Sequence, residues 1–193
     1  MVGDQHHYVP RFLLRNFTRG ARPRIWVYDK ATDRTFHTNV KNVASEKGFY
    51  DLELDDSVLT LEPGLATLET RTSTLFKVLA RDKRLSNIDA TGRALLAEFL
   101  AVQFVRTKEH RLRFEHLGAL LAAALRERGA SEEDIRRLVQ EPEGVEGAKL
   151  AGIRALLESR RLVPHLLSKA WVLFESRTDV PLYISDNPMT MHK

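Results

Sequence analysis

The chain of 193 residues is 43% hydrophobic and 29% charged, carries no cysteine, and has a formal net charge of +4. These figures exclude a disulfide scaffold, thiolate catalysis and thiolate zinc sites, and they suit one globular domain that buries its own core. The positive excess is N-terminal: residues 1–50 hold nine Lys/Arg against four Asp/Glu.

In chain order, residues 5–17 read as a short lead-in and a helix, with Pro10 in its first turn, Phe12, Leu13 and Phe17 at helical spacing, and Arg11 and Arg15 on one face. Arg24 to Asp29 and Arg34 to Thr38 alternate as a β-hairpin, and a further short strand is expected around residues 48–52, before a turn at Asp55-Asp56. Helices then follow. The first spans Leu61 to Arg81, with Glu62 and Glu69 on one face, and a long one runs from about Asn87 to Arg113, apolar nearly all round between Ala94 and Val105. A third continues to Arg128 before Gly129, a fourth starts at Ser131 by its acidic first turn, 141–144 form a loop, and a fifth covers about 145–161. Residues 170–175 and 181–185 read as a closing strand pair split by a turn at 177–179.

This order predicts a single α+β domain over residues 1–193. Its strand region is about 1–55, its helical region about 61–163 and its C-terminal strand pair about 170–185. The two strand groups are expected to join one small, mostly antiparallel sheet packed on the central helices. No apolar run approaches the roughly 20 residues of a membrane span, and Met1 to Tyr8 is not a charged-then-apolar leader, so a soluble cytoplasmic protein is expected.

Three places could carry chemistry. His6 and His7 are adjacent, so an extended backbone points them to opposite sides; either could be a metal ligand, a base or a phosphate contact. In the long helix, Glu98, Gln103 and Arg106 interrupt a surface otherwise fit for burial. At about 100° per residue, Gln103 lies about 60° and Glu98 about 80° from Arg106, which puts the three in one sector with His110 a turn beyond. That sector is either a structural pair, with Glu62 or Glu69 as partner, or an anion clamp. Asp186, in Ser185-Asp-Asn-Pro188 at the end of the last strand, is either part of an ordinary turn or a base or metal ligand. Gly-rich phosphate loops, dinucleotide fingerprints, nucleophile elbows, paired-His zinc helices and calcium loops are all missing.

The run His6-His7-Tyr-Val-Pro-Arg-Phe-Leu-Leu-Arg-Asn-Phe17 resembles the opening motif of a bacterial family defined only as domain of unknown function 4238. Val27-Tyr-Asp, residues 41–51, Glu62, Glu69, Gln103-Phe-Val-Arg-Thr107 and Ser185-Asp-Asn-Pro188 follow in that family's order. The resemblance promises no activity; it says which residues travel together. Members of the family look longer, continuing beyond the Ser-Asp-Asn-Pro segment, which implies that this chain is either truncated there or a naturally short member.

Two function classes follow. In the first, a hydrolase of the metal-dependent phosphodiesterase or nuclease kind, His6, His7, Arg106 and Asp186 form the catalytic set. Arg11, Arg15, Asn16 and Gln103 bind substrate there, and His7, Glu69 and Asp186 hold a divalent metal. The second is a non-catalytic module that binds nucleic acid or an acidic protein, its polar cluster a structural network. This second class expects Arg11, Arg15, Arg22 and Arg24 on an open surface. The first wants Arg11 or Arg15 turned inward.

Overall fold

The computed structural model describes residues 4–18, 20–54, 56–139, 145–176 and 182–190. The N-terminal third holds six short strands, β1 (Gln5–His7), β2 (Arg24–Asp29), β3 (Arg34–Asn39), β4 (Ser45–Lys47), β5 (Asp51–Leu54) and β6 (Ser57–Thr60), with the short helix α1 (Arg11–Arg15) between β1 and β2. Helices α2 (Glu62–Asp82), α3 (Ala90–Val105), α4 (Lys108–Glu127), α5 (Glu132–Leu138), α6 (Val145–Glu158) and α7 (Val163–Leu167) follow. The domain is α+β, as expected.

The single sheet is not formed among the described residues. Three separate antiparallel pairs stand in its place, β1 with β4, β2 with β3, and β5 with β6. The expected C-terminal strand pair is also not seen: residues 170–176 and 182–185 form no strand, and 177–181 lie outside the described residues. Val172, Phe174, Leu182 and Tyr183 are exposed there, so the β-favouring side chains have found no second strand to pack against. Trp171 is held instead by its own neighbourhood, donating Nε1–H to Leu166 O at 2.9 Å beneath the Arg93 guanidinium. Ile184 packs against a cluster of Val9, Leu14, Ile25 and Val40, which brings the C-terminal segment to the N-terminal motif.

The long helix expected to reach Arg113 is broken after Val105. Arg106 closes α3, and Thr107 starts α4 by accepting the His110 N–H on its hydroxyl at 3.2 Å. Helix α3 is central, with Leu96, Ala97, Phe99, Ala101, Val102 and Val105 buried. Around it a second core cluster gathers Phe49, Tyr50, Leu65 and Leu156. The turn that delivers Phe49 and Tyr50 depends on Gly48, whose φ of +57° is left-handed; a Cβ there would sit 3.2 Å from the Asp51 carboxylate.

Candidate functional site: a buried arginine that holds the N-terminal motif

Strand β1 ends at His7, and the Tyr8 and Val9 N–H groups both turn to Ala44 O, which leaves the carbonyls of His7 and Tyr8 inside without strand partners. Buried carbonyls need donors, and the helices supply them. Arg106, only 1% exposed, donates from Nη2 to His7 O at 2.5 Å and to Glu69 Oε1 at 2.8 Å, and from Nε to the Tyr50 hydroxyl at 3.1 Å. The Tyr50 hydroxyl in turn donates to His7 O at 3.2 Å. Gln103 donates to Tyr8 O at 3.0 Å. Arg111 donates to Phe49 O and lies with its guanidinium 3.4 Å from the Phe49 ring centroid.

Electrostatics keep Arg106 charged. Burial works against the cation, but Tyr50 and Glu69 outweigh it and raise the guanidinium further. Burial also raises Tyr50, with Arg106 opposing. Glu62, half-buried on the first turn of α2, is pushed up by burial, with His6 and Arg106 opposing and the Glu69 and Asp51 carboxylates adding. Its Oε2 is buried without a hydrogen-bond partner, as are His7 Nε2, Gln103 Oε1, Arg106 Nη1 and Arg111 Nε. Unsatisfied polar atoms gathered around one network are places for ordered water or a small polar ligand.

The two histidines differ. His6 Nδ1 accepts the Tyr50 N–H at 3.1 Å, and its Nε2 lies 3.7 Å from Asp51. With Nδ1 occupied as an acceptor, the neutral ring carries its proton on Nε2 and has no free lone pair for a metal or a substrate proton. His7 is pulled below the ordinary imidazole range, chiefly by burial and next by Arg11, although the Val40 and Lys41 backbone favours its charged form. A base whose folded pKa is lowered stabilises the fold above its unfolded value and loses that contribution as pH falls. The stability gap between wild type and His7→Gln should therefore narrow as pH drops from 7 through about 6.5 to 5. Urea titrations at each pH measure it, and a gap that widens toward pH 5 would contradict a neutral buried His7. Glu62, being raised, acts with the opposite sign in both proteins and cancels from the difference.

The remaining expected site residues are distributed as follows. Arg11 and Arg15 are exposed on α1, and Asn16 is exposed with its amide donating to Phe12 O, so none of them joins buried Gln103. Glu98 does not join Gln103 and Arg106 and pairs with Arg160 at 3.1 Å: at about 100° per residue it lies on the other side of Arg106 from Gln103, about 140° away around α3. Asp186 is exposed in a turn closed by Ser185 and Asn187. It stays close enough to Tyr8 to help burial push that phenol up to about 12. Among the described residues no three His, Asp or Glu side chains are arranged to hold a metal ion, so His7, Glu69 and Asp186 are not brought together as a ligand set. His110 lines a cavity of about 210 Å³ together with Phe104, Thr107, Arg113, Asn187 and Met189. This cavity lies beyond the buried network rather than in it. Burial lowers His110, with Arg113 adding to the effect.

Sequence reasoning missed Tyr50, Phe49 and Arg111. Phe49 and Tyr50 follow Gly48 in a stretch read as a strand and as part of the family resemblance but given no role, and nothing in the spacing of Arg111 sets it apart from the other α4 arginines.

These features define an α+β domain in which helical side chains clamp an N-terminal His-His-Tyr segment through a central buried arginine. The chain belongs to the DUF4238 family, proteins of unknown function, whose model matches residues 5–193. No curated protein and no solved structure gives a significant match.

Proposed function

We propose that this protein is a non-catalytic module that binds nucleic acid through an arginine-rich N-terminal face, with the Arg106 network as its structural support. The observation that carries this reading is the exposure of Arg11, Arg15, Arg22 and Arg24. Arg11, Arg15 and Arg22 have no carboxylate partner among the described residues, and Arg24 only bonds His37 O at 3.0 Å. Unpaired guanidinium groups retain their full attraction for phosphate, and such binding releases counterions. The clamp around His7 and Tyr8 favours the same reading, since each contact there satisfies a backbone carbonyl and needs no substrate to explain it.

Affinity for a labelled oligonucleotide should fall steeply with salt and ignore chelators. Replacing Arg11, Arg15 and Arg22 together by Gln should flatten the slope of log K against log salt by roughly 2 for single strands, about 0.7 for each phosphate that is no longer neutralised. An unchanged slope would overturn the reading. The same samples address a hydrolase, favoured by one observation, the raised Glu62 carboxyl with its unpartnered oxygen in the field of Arg106. Cleavage of the oligonucleotide by wild type, lost in Glu62→Gln, would transfer the function to that carboxyl.

A further inference from the structure

Alternation along β2 sends Ile25 and Val27 inward onto the Val9, Leu14 and Val40 cluster, and so places Arg24, Trp26 and Tyr28 together on the opposite face. The register sets His37 across from Trp26 and Thr35 across from Tyr28. Trp26 is 69% exposed and Tyr28 58%, so neither ring is positioned by core packing. They are nonetheless ordered. The Trp26 indole stacks on the His37 imidazole with centroids 4.9 Å apart and planes 26° apart, and the Tyr28 hydroxyl donates to Asp33 Oδ1 at 2.8 Å.

The charge around these rings is positive. Residues 20–41 hold five Lys/Arg, Arg24 and Lys41 at the ends of the hairpin among them, against two Asp, and both acids are engaged locally. Asp33 accepts from Tyr28, and Asp29 accepts from Ala31 N–H and the Thr32 hydroxyl, which lowers its pKa. Arg24 bonds His37 O, so its guanidinium lies beside the stacked pair.

We propose that the Trp26–Tyr28 face of the β2–β3 hairpin is a stacking platform for single-stranded nucleic acid, with Arg22 and Arg24 on the adjoining phosphates. This rests on the nucleic-acid reading above and adds the strand state and the seats of the bases. Two considerations select single strands. Residues two apart on a strand are separated by roughly 6.6 Å, about twice the rise between stacked bases, so the two rings take two unstacked bases. The faces of paired bases are closed within a duplex, whereas every single-stranded base offers a π-face to an aromatic ring. The polar neighbours Arg24, Thr35, His37 and Asn39 fit this ligand better than an apolar protein surface.

The test uses the full chain with fluorescein-labelled oligothymidylate, followed by anisotropy and by quenching of tryptophan fluorescence. Trp26→Ala should weaken binding about 5- to 150-fold, the range for removing one ring from beneath a stacked base, while Trp26→Phe retains most of the affinity. The quench should survive Trp171→Phe and vanish in Trp26→Phe. Melting curves check that the exposed substitutions leave the fold intact. Unchanged affinity in Trp26→Ala, or a matched duplex bound as tightly as the single strand, overturns the platform and leaves the broader reading standing. Competition by polyglutamate equal to that by the oligonucleotide identifies an acidic-protein surface and overturns it too. No binding of either strand state at low salt overturns both proposals.

Discussion

Arg106→Met should lower stability by about 3–5 kcal/mol, which for a chain of this length is a fall of roughly 6–20 °C in melting temperature. The ion pair itself is the smaller part of that loss. Glu69 is 23% exposed, so water can take over its carboxylate once the guanidinium is gone. The larger part comes from the donors that Arg106 supplies to the Tyr50 oxygen and His7 O, both buried: the Tyr50 oxygen loses its donor and His7 O keeps only the Tyr50 hydroxyl, where hydrogen-bonding capacity left unsatisfied costs about 1–3 kcal/mol per group. Glu69→Gln keeps an acceptor in place and leaves both of those bonds standing, so it should cost less than Arg106→Met. Arg106→Lys should fail nearly as badly as Met, since one ammonium cannot span three acceptors from the position of a planar fork. Chemical denaturation of the three variants orders the costs. An Arg106→Met protein that melts within about 2 °C of wild type would show that the N-terminal segment is held by something else.

Hydrogen exchange would locate the damage. The clamp acts on His7 and Tyr8, so amides of β1 and β4 should lose protection before those of α3.

The clamp was partly legible because buried polar residues betray themselves by interrupting an apolar run. Gln103 and Arg106 did so, and both prove buried and bonded to the His-His-Tyr segment nearly 100 residues away. Glu98 interrupts the same run but faces elsewhere, because it and Gln103 flank Arg106 on opposite sides, about 140° apart, and angular position says nothing of which neighbour lies opposite. Arg160 lies opposite Glu98. The helix break after Val105 had a local signal in Thr107 followed by Glu109, a capping hydroxyl with an acid in the first turn, but it was overshadowed by the apolar length preceding it.

Strand pairing was the least legible feature. Strands β1 and β4 are three residues each and 40 apart in sequence, too short for a period of two to register. The C-terminal segment shows the reverse: a good strand pattern in residues 170–175 that remains unpaired, because pairing depends on an available edge and the pattern carries no information about one. Tautomer and lone-pair occupancy lie further still from the sequence. The adjacent histidines are equivalent in the sequence and differ only in the fold, where His6 Nδ1 accepts the Tyr50 N–H and His7 Nε2 has no partner.

Phe99→Ala should match Arg106→Met in cost, at about 3–5 kcal/mol, yet reach the proposed binding face by a different route. Phe99 is 1% exposed, with its ring 5.6 Å from Phe12 and 5.7 Å from Phe76, and Phe12 and Phe76 are themselves 5.5 Å apart. The three rings tie α1, α2 and α3 together. Helix α1 has five residues, far too few to be stable alone, so it depends on that contact and on Leu14. Truncating Phe99 removes the wall on which Phe12 rests and frees the segment that carries Arg11 and Arg15. Oligonucleotide affinity should then fall along with melting temperature, although Phe99 lies deep in the core, while Phe99→Leu, which refills most of the volume, should preserve both far better. A Phe99→Ala protein that is destabilised but binds with wild-type affinity and salt slope would mean that α1 contributes nothing to recognition, confining the binding face to the β2–β3 hairpin and Arg22.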